Sequence, residues 1–475
     1  MTWESVIGLE VHAELSTKSK IFCACSTEFG GEPNSHVCPV CSGMPGTLPT
    51  LNKNVVEYAT RLGLVLDCKI AGRSVFDRKN YFYPDLPKAY QVSQLYAPIC
   101  TDGCLTIESG EQAKNIGIRE IHMEEDAGKL IHAEDGSYMD FNRCGVPLLE
   151  IVTLPDFRDG DEVIAFLEKL REILLYLDIC DCKMQEGSLR VDVNLSLRPD
   201  AAAPLGTRTE MKNLNSFKAV RRAIAAEEQR HRRILEGGGA VRQETRRWDD
   251  ETGQSHGLRT KENAPDYRYF PEPDLLPVIM DAAWLARIKS EIPELAHEKR
   301  VRYQRDWGLS DADAKILTGH KRVADLFESI AEKSAEALEA ARLMTGEIMH
   351  LAHEANISPE DMTVSDDKLA LLVSFVAEGK ISRGAYKETV EAVFRHDTNP
   401  ETYISEKNLW MQSDDESLGR TVETVLSENA AAVEDYQNGK DKAFGFLVGQ
   451  CMRKLGAGTD PAKLRALLAE RLGAR

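Results

Sequence analysis

Glu10, His12 and Glu14 alternate with apolar residues in Val6-Ile7-Gly8-Leu9-Glu10-Val11-His12-Ala13-Glu14-Leu15. Successive side chains of a strand point to opposite faces, so Ile7, Leu9, Val11, Ala13 and Leu15 share one side, and the two carboxylates and the imidazole share the other. Leu189 to Arg198 has the same period, with Arg190, Asp192, Asn194, Ser196 and Arg198 opposite an aliphatic face. Two such strands line a polar pocket if these faces look into a cleft; the plain alternative is the solvent side of an antiparallel sheet. Glu124-Glu125-Asp126, just before Gly128, offers oxygens to a hard divalent ion such as Mg²⁺, or else forms a solvated acidic turn. Glu150 lies in the apolar run Pro147 to Val152, where burying a carboxylate is costly unless a cation or donors meet it.

Four of the eleven cysteines cluster as Cys23-x-Cys25, twelve intervening residues, then Cys38-x-x-Cys41. Two short pairs across such a loop can bring four thiolates to the corners of a tetrahedron, the geometry of a structural zinc. Free thiols or a redox pair are the alternatives, although a redox pair has no need of Cys23 and Cys25. A four-cysteine site leaves no open coordination position, so it argues for architecture rather than catalysis. The other seven cysteines are scattered and read as core or surface thiols. Two loops mix cations with aromatic rings: Asp77 to Lys88, carrying Lys79 and Lys88, and Asp266 to Asp274. They suit phosphate pairing and base stacking, or simple aromatic packing. No P-loop and no credible dinucleotide-binding turn occurs, so any nucleotide is bound another way.

The elements that must hold these groups change character along the chain. Up to about residue 290 the sequence is rich in Gly, Pro and short alternating runs, the pattern of a large sheet-containing domain. After Ile292-Pro293 it turns to Ala- and Leu-rich stretches of helical spacing, such as Asp311 to Leu338 and Asp366 to Glu378. His396 to Glu401 reads as a linker. Asp460 fits an N-cap, with Pro461 opening a final helix. The 475 residues suggest roughly three domains. A hydrophobic share of 42% against 29% charged excludes disorder of the whole chain, and a net charge of −18 favours solubility. The chain shows neither a signal sequence nor a membrane span, which places it in the cytoplasm. Two stretches are locally basic: Phe217 to Arg247, with nine Lys/Arg against four Glu, and Val433 to Arg475, with eight basic against five acidic residues. Solvated faces are the plain reading of both.

The opening strand, Phe-Asp-Arg-Lys-Asn-Tyr-Phe-Tyr-Pro-Asp from Phe76, His-Met-Glu-Glu-Asp-Ala-Gly-Lys from His122 and Lys-Asn-Leu-Asn-Ser-Phe from Lys212 are recognisable as a set. Together with Gln-Glu-Thr-Arg-Arg from Gln243, Asp-Tyr-Arg-Tyr-Phe-Pro-Glu-Pro-Asp-Leu from Asp266 and Asn-Gly-Lys-Asp-Lys-Ala from Asn438, they closely resemble the B subunit of the aspartyl/glutamyl-tRNA amidotransferase, GatB. The resemblance spans essentially the whole chain. It implies an α+β protein: a glutamine-synthetase-like, mainly antiparallel catalytic domain over 1–292 with the zinc knuckle, an all-helical domain over 293–404 and a small helical tail over 405–475 that grips tRNA. It implies a ligase that uses ATP and Mg²⁺ to amidate Glu-tRNA(Gln) and/or Asp-tRNA(Asn), within a heterotrimer of this chain, an amidase (the A subunit) and a small C subunit. By the same resemblance Glu10, His12, Glu124, Glu125 and Glu150 are the magnesium candidates, with Asp192 a further one, while Lys79, Lys88 and Arg190 are phosphate or channel groups. Ammonia is then expected from the amidase, and the isolated chain is expected to lack glutaminase activity. Two other classes compete: a scaffold that only binds tRNA and a partner enzyme, which would not need the Glu/His/Asp constellation, and a zinc hydrolase, which would need an open zinc site.

Overall fold

A computed structural model describes residues 3–110, 112–260, 266–411, 415–455 and 461–473. The chain divides into two compact units, Met1–Leu295 and Ala296–Arg475.

The first unit is built on nine strands: β1 (Glu4–Glu14), β2 (Lys69–Ile70), β3 (Cys100–Ser109), β4 (Gln112–Glu125), β5 (Pro147–Thr153), β6 (Leu189–Arg198), β7 (Thr209–Lys212), β8 (Glu244–Asp249) and β9 (Gln254–Thr260). They form one sheet in the order β9-β8-β7-β6-β1-β5-β4-β3-β2. All neighbours are antiparallel except β7 and β8, which run parallel because a helix crosses between them. The expectation of an α+β architecture with a large, mainly antiparallel sheet thus holds. Ile7, Leu9, Val11 and Ala13 of β1 are fully buried, as are Ile121 and Met123 of β4, Leu149 and Ile151 of β5, and Val193 and Leu195 of β6. Each of the larger side chains contributes about 1.5–3 kcal/mol of apolar burial, and a one-residue slip of any strand would turn this set out of the core.

Three helices pack against this sheet: α1 (Lys53–Val65), α2 (Gly160–Tyr176) and α3 (Phe217–Glu236). Each start is set by a side chain that satisfies backbone N–H groups left over at the first turn. Asn52 accepts from Asn54, Asp159 from Asp161 and Glu162, and Ser216 from Ala219. Helix α3 stops at Gly237, the first of three consecutive glycines.

The second unit is helical in its described residues. One hydrophobic cluster runs from Tyr303 to Leu409 and another from Val422 to Leu472. The stretch Asp311 to Leu338 is not one helix. It comprises Asp311–Thr318, Lys321–Ser334 and the start of Ala337–Arg342, with breaks at Gly319-His320 and at Ala335, whose φ is +57°. The linker reading of His396 to Glu401 also needs correction. Asp397 closes one helix in a left-handed conformation, and Asn399 caps the next, Pro400–Glu406. The final helix begins at Pro461, while Asp460 lies outside the described residues. No described helix is long and apolar enough to cross a membrane.

Candidate active site

The pairing of β6, β1, β5 and β4 brings their polar positions into rows. His12 is opposite Arg190 on one side and Glu150 on the other, Glu150 is opposite His122, and Glu10 is opposite Asp192. His12, Glu150, Arg190 and Asp192 line a cavity of about 1110 Å³, together with Lys79, Glu124, Asp126 and Lys212. The polar faces of β1 and β6 therefore look into a cleft, as the pocket reading of their alternation expects.

Two carboxylate groups lie at this face. In the first, His12 Nε2 is 3.5 Å from Glu150 Oε2 and 3.7 Å from Glu124 Oε1, and His122 Nε2 is 3.0 Å from Glu150 Oε2. Burial opposes a charge on His12, but Glu150 and then Glu124 outweigh it and lift the imidazole to about 9. Burial likewise opposes a charge on Glu150, yet the two histidines hold its carboxyl well below the usual range, whereas burial and the Glu150 charge push Glu124 upward. A proton on His12 is thus favoured beside these carboxylates. One nitrogen and two carboxylate oxygens within 4.8 Å of one another are a fitting donor set for a divalent ion, which would replace that proton. In the second group, ligand atoms of Glu10, Asp192 and Glu210 lie within 4.8 Å of one another. Asn194 Nδ2 donates to Glu10 at 3.0 Å, and Lys212 is paired with Asp192 and, at 2.9 Å, with Glu210.

Glu124, Glu125 and Asp126 do not converge. Glu124 and Glu125 close β4, so the pleat sends them to opposite faces. Glu124 joins His12. Glu125 pairs with Lys88, accepts from the Val92 N–H at 2.9 Å and lines a separate, smaller cavity. Asp126 lies beside Arg190 at 2.8 Å and hydrogen-bonds with Glu14. The structure thus gathers His12, Glu124 and Glu150, places Glu10 and Asp192 next to them, ties Arg190 to Asp126, and holds Glu125 and Lys88 elsewhere.

The two aromatic loops meet each other. Arg78 of Asp77–Asn80 is opposite Phe270, Asn80 N donates to the Tyr267 carbonyl at 2.9 Å, and Tyr81 and Tyr267 pack edge-on with centroids 5.7 Å apart. Lys79 Nζ lies 5.1 Å from the Tyr267 ring centre and lines the main cavity. Arg78 is taken by Glu272, at 2.6 and 2.9 Å.

Sulfur atoms of Cys23, Cys25, Cys38 and Cys41 lie within 4.8 Å of one another, in accord with the spacing argument. A hydrogen bond from Cys23 draws the Cys41 thiol below its ordinary range, and the all-thiol donor set fits zinc. The buried Lys20 ammonium donates to the His36 and Phe141 carbonyls, at 2.7 and 3.2 Å, and stands 3.7 Å from Cys41 Sγ. Of the other cysteines, Cys100, Cys144, Cys180, Cys182 and Cys451 are buried, and Cys68 and Cys104 are half-buried.

The basic stretch on α3 is largely neutralised. Arg221 pairs with Asp161, Arg222 with Asp250, Arg230 with the buried Glu227, and Arg232 with Glu228. In the final stretch Lys440, Lys454 and Arg471 are paired, while the exposed Lys442, Arg453 and Arg465 make no ion pair among the described residues.

Sequence reasoning missed His122, Glu210 and Lys212. His122 sits within the quoted acidic segment and shares the strand face of Glu124, two residues on, a spacing that was there to be used. Strand β7 has only four residues, too few for alternation to declare itself.

The carboxylate face on this broad, mainly antiparallel sheet offers donor sets that could hold a divalent ion, and the cavity wall beside it carries cations. Residues 5–286 match the GatB/GatE catalytic domain family, and residues 325–472 match the GatB domain family. The chain is 53% identical over 472 residues to the B subunit of the aspartyl/glutamyl-tRNA(Asn/Gln) amidotransferase of Lachnoclostridium phytofermentans, covering 99% of each chain. It is 50% identical to that of Thermoanaerobacter pseudethanolicus and 48% identical to that of Moorella thermoacetica, covering 99% of this chain and 100% of each relative. The chain belongs to this B-subunit family of ligase-type, glutamine-dependent amidotransferases.

Proposed function

We propose that the chain carries out ATP-dependent amidation of Glu-tRNA(Gln) and/or Asp-tRNA(Asn), in a complex with an amidase subunit that releases ammonia from glutamine and with a small third subunit. Family membership supplies the reaction class. The observation that carries the reading to this cavity is the convergence of His12, Glu124 and Glu150 on one side of a polar sheet, in a cavity whose wall also carries Lys79. A side-chain carboxylate is a poor electrophile because an oxide would have to leave. Its oxygen attacks the γ-phosphorus of ATP, ADP departs, and the acyl phosphate forms. Ammonia then attacks the acyl carbon, and phosphate leaves with the surplus proton. His12, Glu124 and Glu150 would hold the Mg²⁺, whose chemistry is to offset phosphate charge. Lys79, on the wall of the same cavity, orients anionic oxygen, and the Tyr81 and Tyr267 rings beside its ammonium limit its motion. We read the sheet as glutamine-synthetase-like, Cys23, Cys25, Cys38 and Cys41 as a zinc knuckle, and the tail as the grip on tRNA. Glu125 and Lys88 support the knuckle side of the sheet.

Amidation by the reconstituted complex, assayed with both misacylated tRNAs, tests the reading. His12→Ala and Glu150→Gln are each expected to lower acyl-phosphate formation by about 10²–10³-fold, on the scale of losing transition-state electrostatics, without releasing the chain from the amidase. Undiminished turnover in both variants would remove this cavity from the reaction.

A further inference from the structure

Lys212 lies in a part of the cavity that the reading above leaves unused. Glu210 and Lys212 are two residues apart on β7 and so share its polar face, where Glu210 is opposite Asn194 of β6. Glu10 is opposite Asp192 one strand over, and carboxylate oxygens of Glu10, Asp192 and Glu210 lie within 4.8 Å of one another. Three half-buried carboxylates at that separation repel strongly and demand a cation. Lys212 provides one: its ammonium is held by Asp192 and Glu210 together, while Glu10 takes its hydrogen bond from Asn194 instead. Of the other cations of the cavity wall, Arg190 and Arg143 are engaged at Asp126 and Lys79 lies over the Tyr267 ring.

We propose that Lys212 is a built-in cation of the active site, standing where Glu10, Asp192 and Glu210 would otherwise draw a second divalent ion. The proposal rests on the reading of this cavity as a divalent-ion site. A tethered ammonium supplies a single fixed charge and does not exchange with the medium. It leaves the isolated chain one exchangeable ion, at His12, Glu124 and Glu150. Lys212 is thus a positioning residue for the second carboxylate group, and its effect is read in metal stoichiometry.

Mn²⁺ titration of the purified full-length chain, followed by the paramagnetic resonance of free Mn²⁺, tests this. The parent is expected to bind one ion, and His12→Ala to lose it. Lys212→Met and Lys212→Gln, each checked for a native circular dichroism spectrum, are expected to bind two, while Lys212→Arg keeps one. Adding Glu210→Gln to Lys212→Met should return the count to one. In the reconstituted complex the Mg²⁺ dependence of amidation should steepen, from first towards second order, in the Met and Gln variants. A parent that already binds two ions, or neutral variants that still bind one, would overturn the proposal. A parent that binds none, with His12→Ala indistinguishable from it, would overturn the metal reading of the cavity and this proposal with it.

Discussion

Glu14 is the side chain of this site most displaced from ordinary behaviour without being a metal candidate. Burial first, and then the charge of Asp126, push its carboxyl up to about 8. An ordinary glutamate titrates at 4.5 in the unfolded chain. Between 4.5 and about 8 the folded protein therefore holds a proton that the unfolded chain has released, and folding is penalised progressively as pH rises. The contribution is whole below 4.5 and gone above about 8. Asp126 acts in another window: burial opposes its charge, but Arg190 and Arg143 outweigh burial and hold its carboxyl below the usual range, so its effect falls in acid. Glu14→Gln keeps a donor towards Asp126 and abolishes the titration. Its stability relative to the parent should climb across the window from 4.5 to about 8, at up to about 1.4 kcal/mol per pH unit, and then level off. Parallel melting-temperature profiles for the two proteins across this range would contradict the assignment.

At the scale of elements, the cysteine loop and the sheet are joined through Gly43. It closes the Cys38-Pro-Val-Cys-Ser-Gly turn at φ +70°, where a Cβ would stand 2.5 Å from Lys88 Cγ and 3.2 Å from Lys88 Cα. Alanine there meets both a left-handed backbone penalty and a neighbour whose backbone cannot withdraw. Gly43→Ala should cost about 1–3 kcal/mol in urea unfolding and disturb the Lys88–Glu125 pair. An unchanged midpoint would show that the loop is free of the sheet. This junction also marks the limit of what the sequence discloses. Ten-residue strands such as Leu189–Arg198 announce their two faces, because alternation repeats often enough to be seen. Glu124-Glu125-Asp126 could be read as oxygens for one divalent ion or as a solvated acidic turn, yet β4 continues to Glu125, and a pleat cannot aim adjacent residues at one ion. The net charge of Phe217 to Arg247 was countable, but the residues that cancel Arg221 and Arg222 are Asp161 and Asp250 and could not be known without the fold. The four-cysteine cluster was legible because short-range spacing alone brings those thiols together.

The whole molecule carries a net charge of −18 yet is read as a holder of tRNA, so its phosphate contacts must be local. The two basic stretches are not equivalent. On α3 most guanidinium groups are committed to carboxylates, whereas Lys442, Arg453 and Arg465 stand exposed over the small cluster of Val422, Val425, Leu447 and Leu464. A cation already paired must break that pair to meet a phosphate, which removes much of the gain. The tail is therefore the better candidate for the tRNA grip proposed above. The preceding hydrophobic cluster includes Ile404 and Leu409, so a cut at residue 412 spares it where a cut at 405 would not. Deleting residues 412–475 should weaken tRNA binding and flatten its salt dependence. Loss of three phosphate contacts lowers the slope of log affinity against log salt by about 2–3. The truncated chain should still bind Mn²⁺ at His12, Glu124 and Glu150. If it holds tRNA as tightly as the full chain at moderate salt, with the same slope, the grip lies in the first 411 residues and the cations of Phe217 to Arg247 must exchange their carboxylate partners for phosphates.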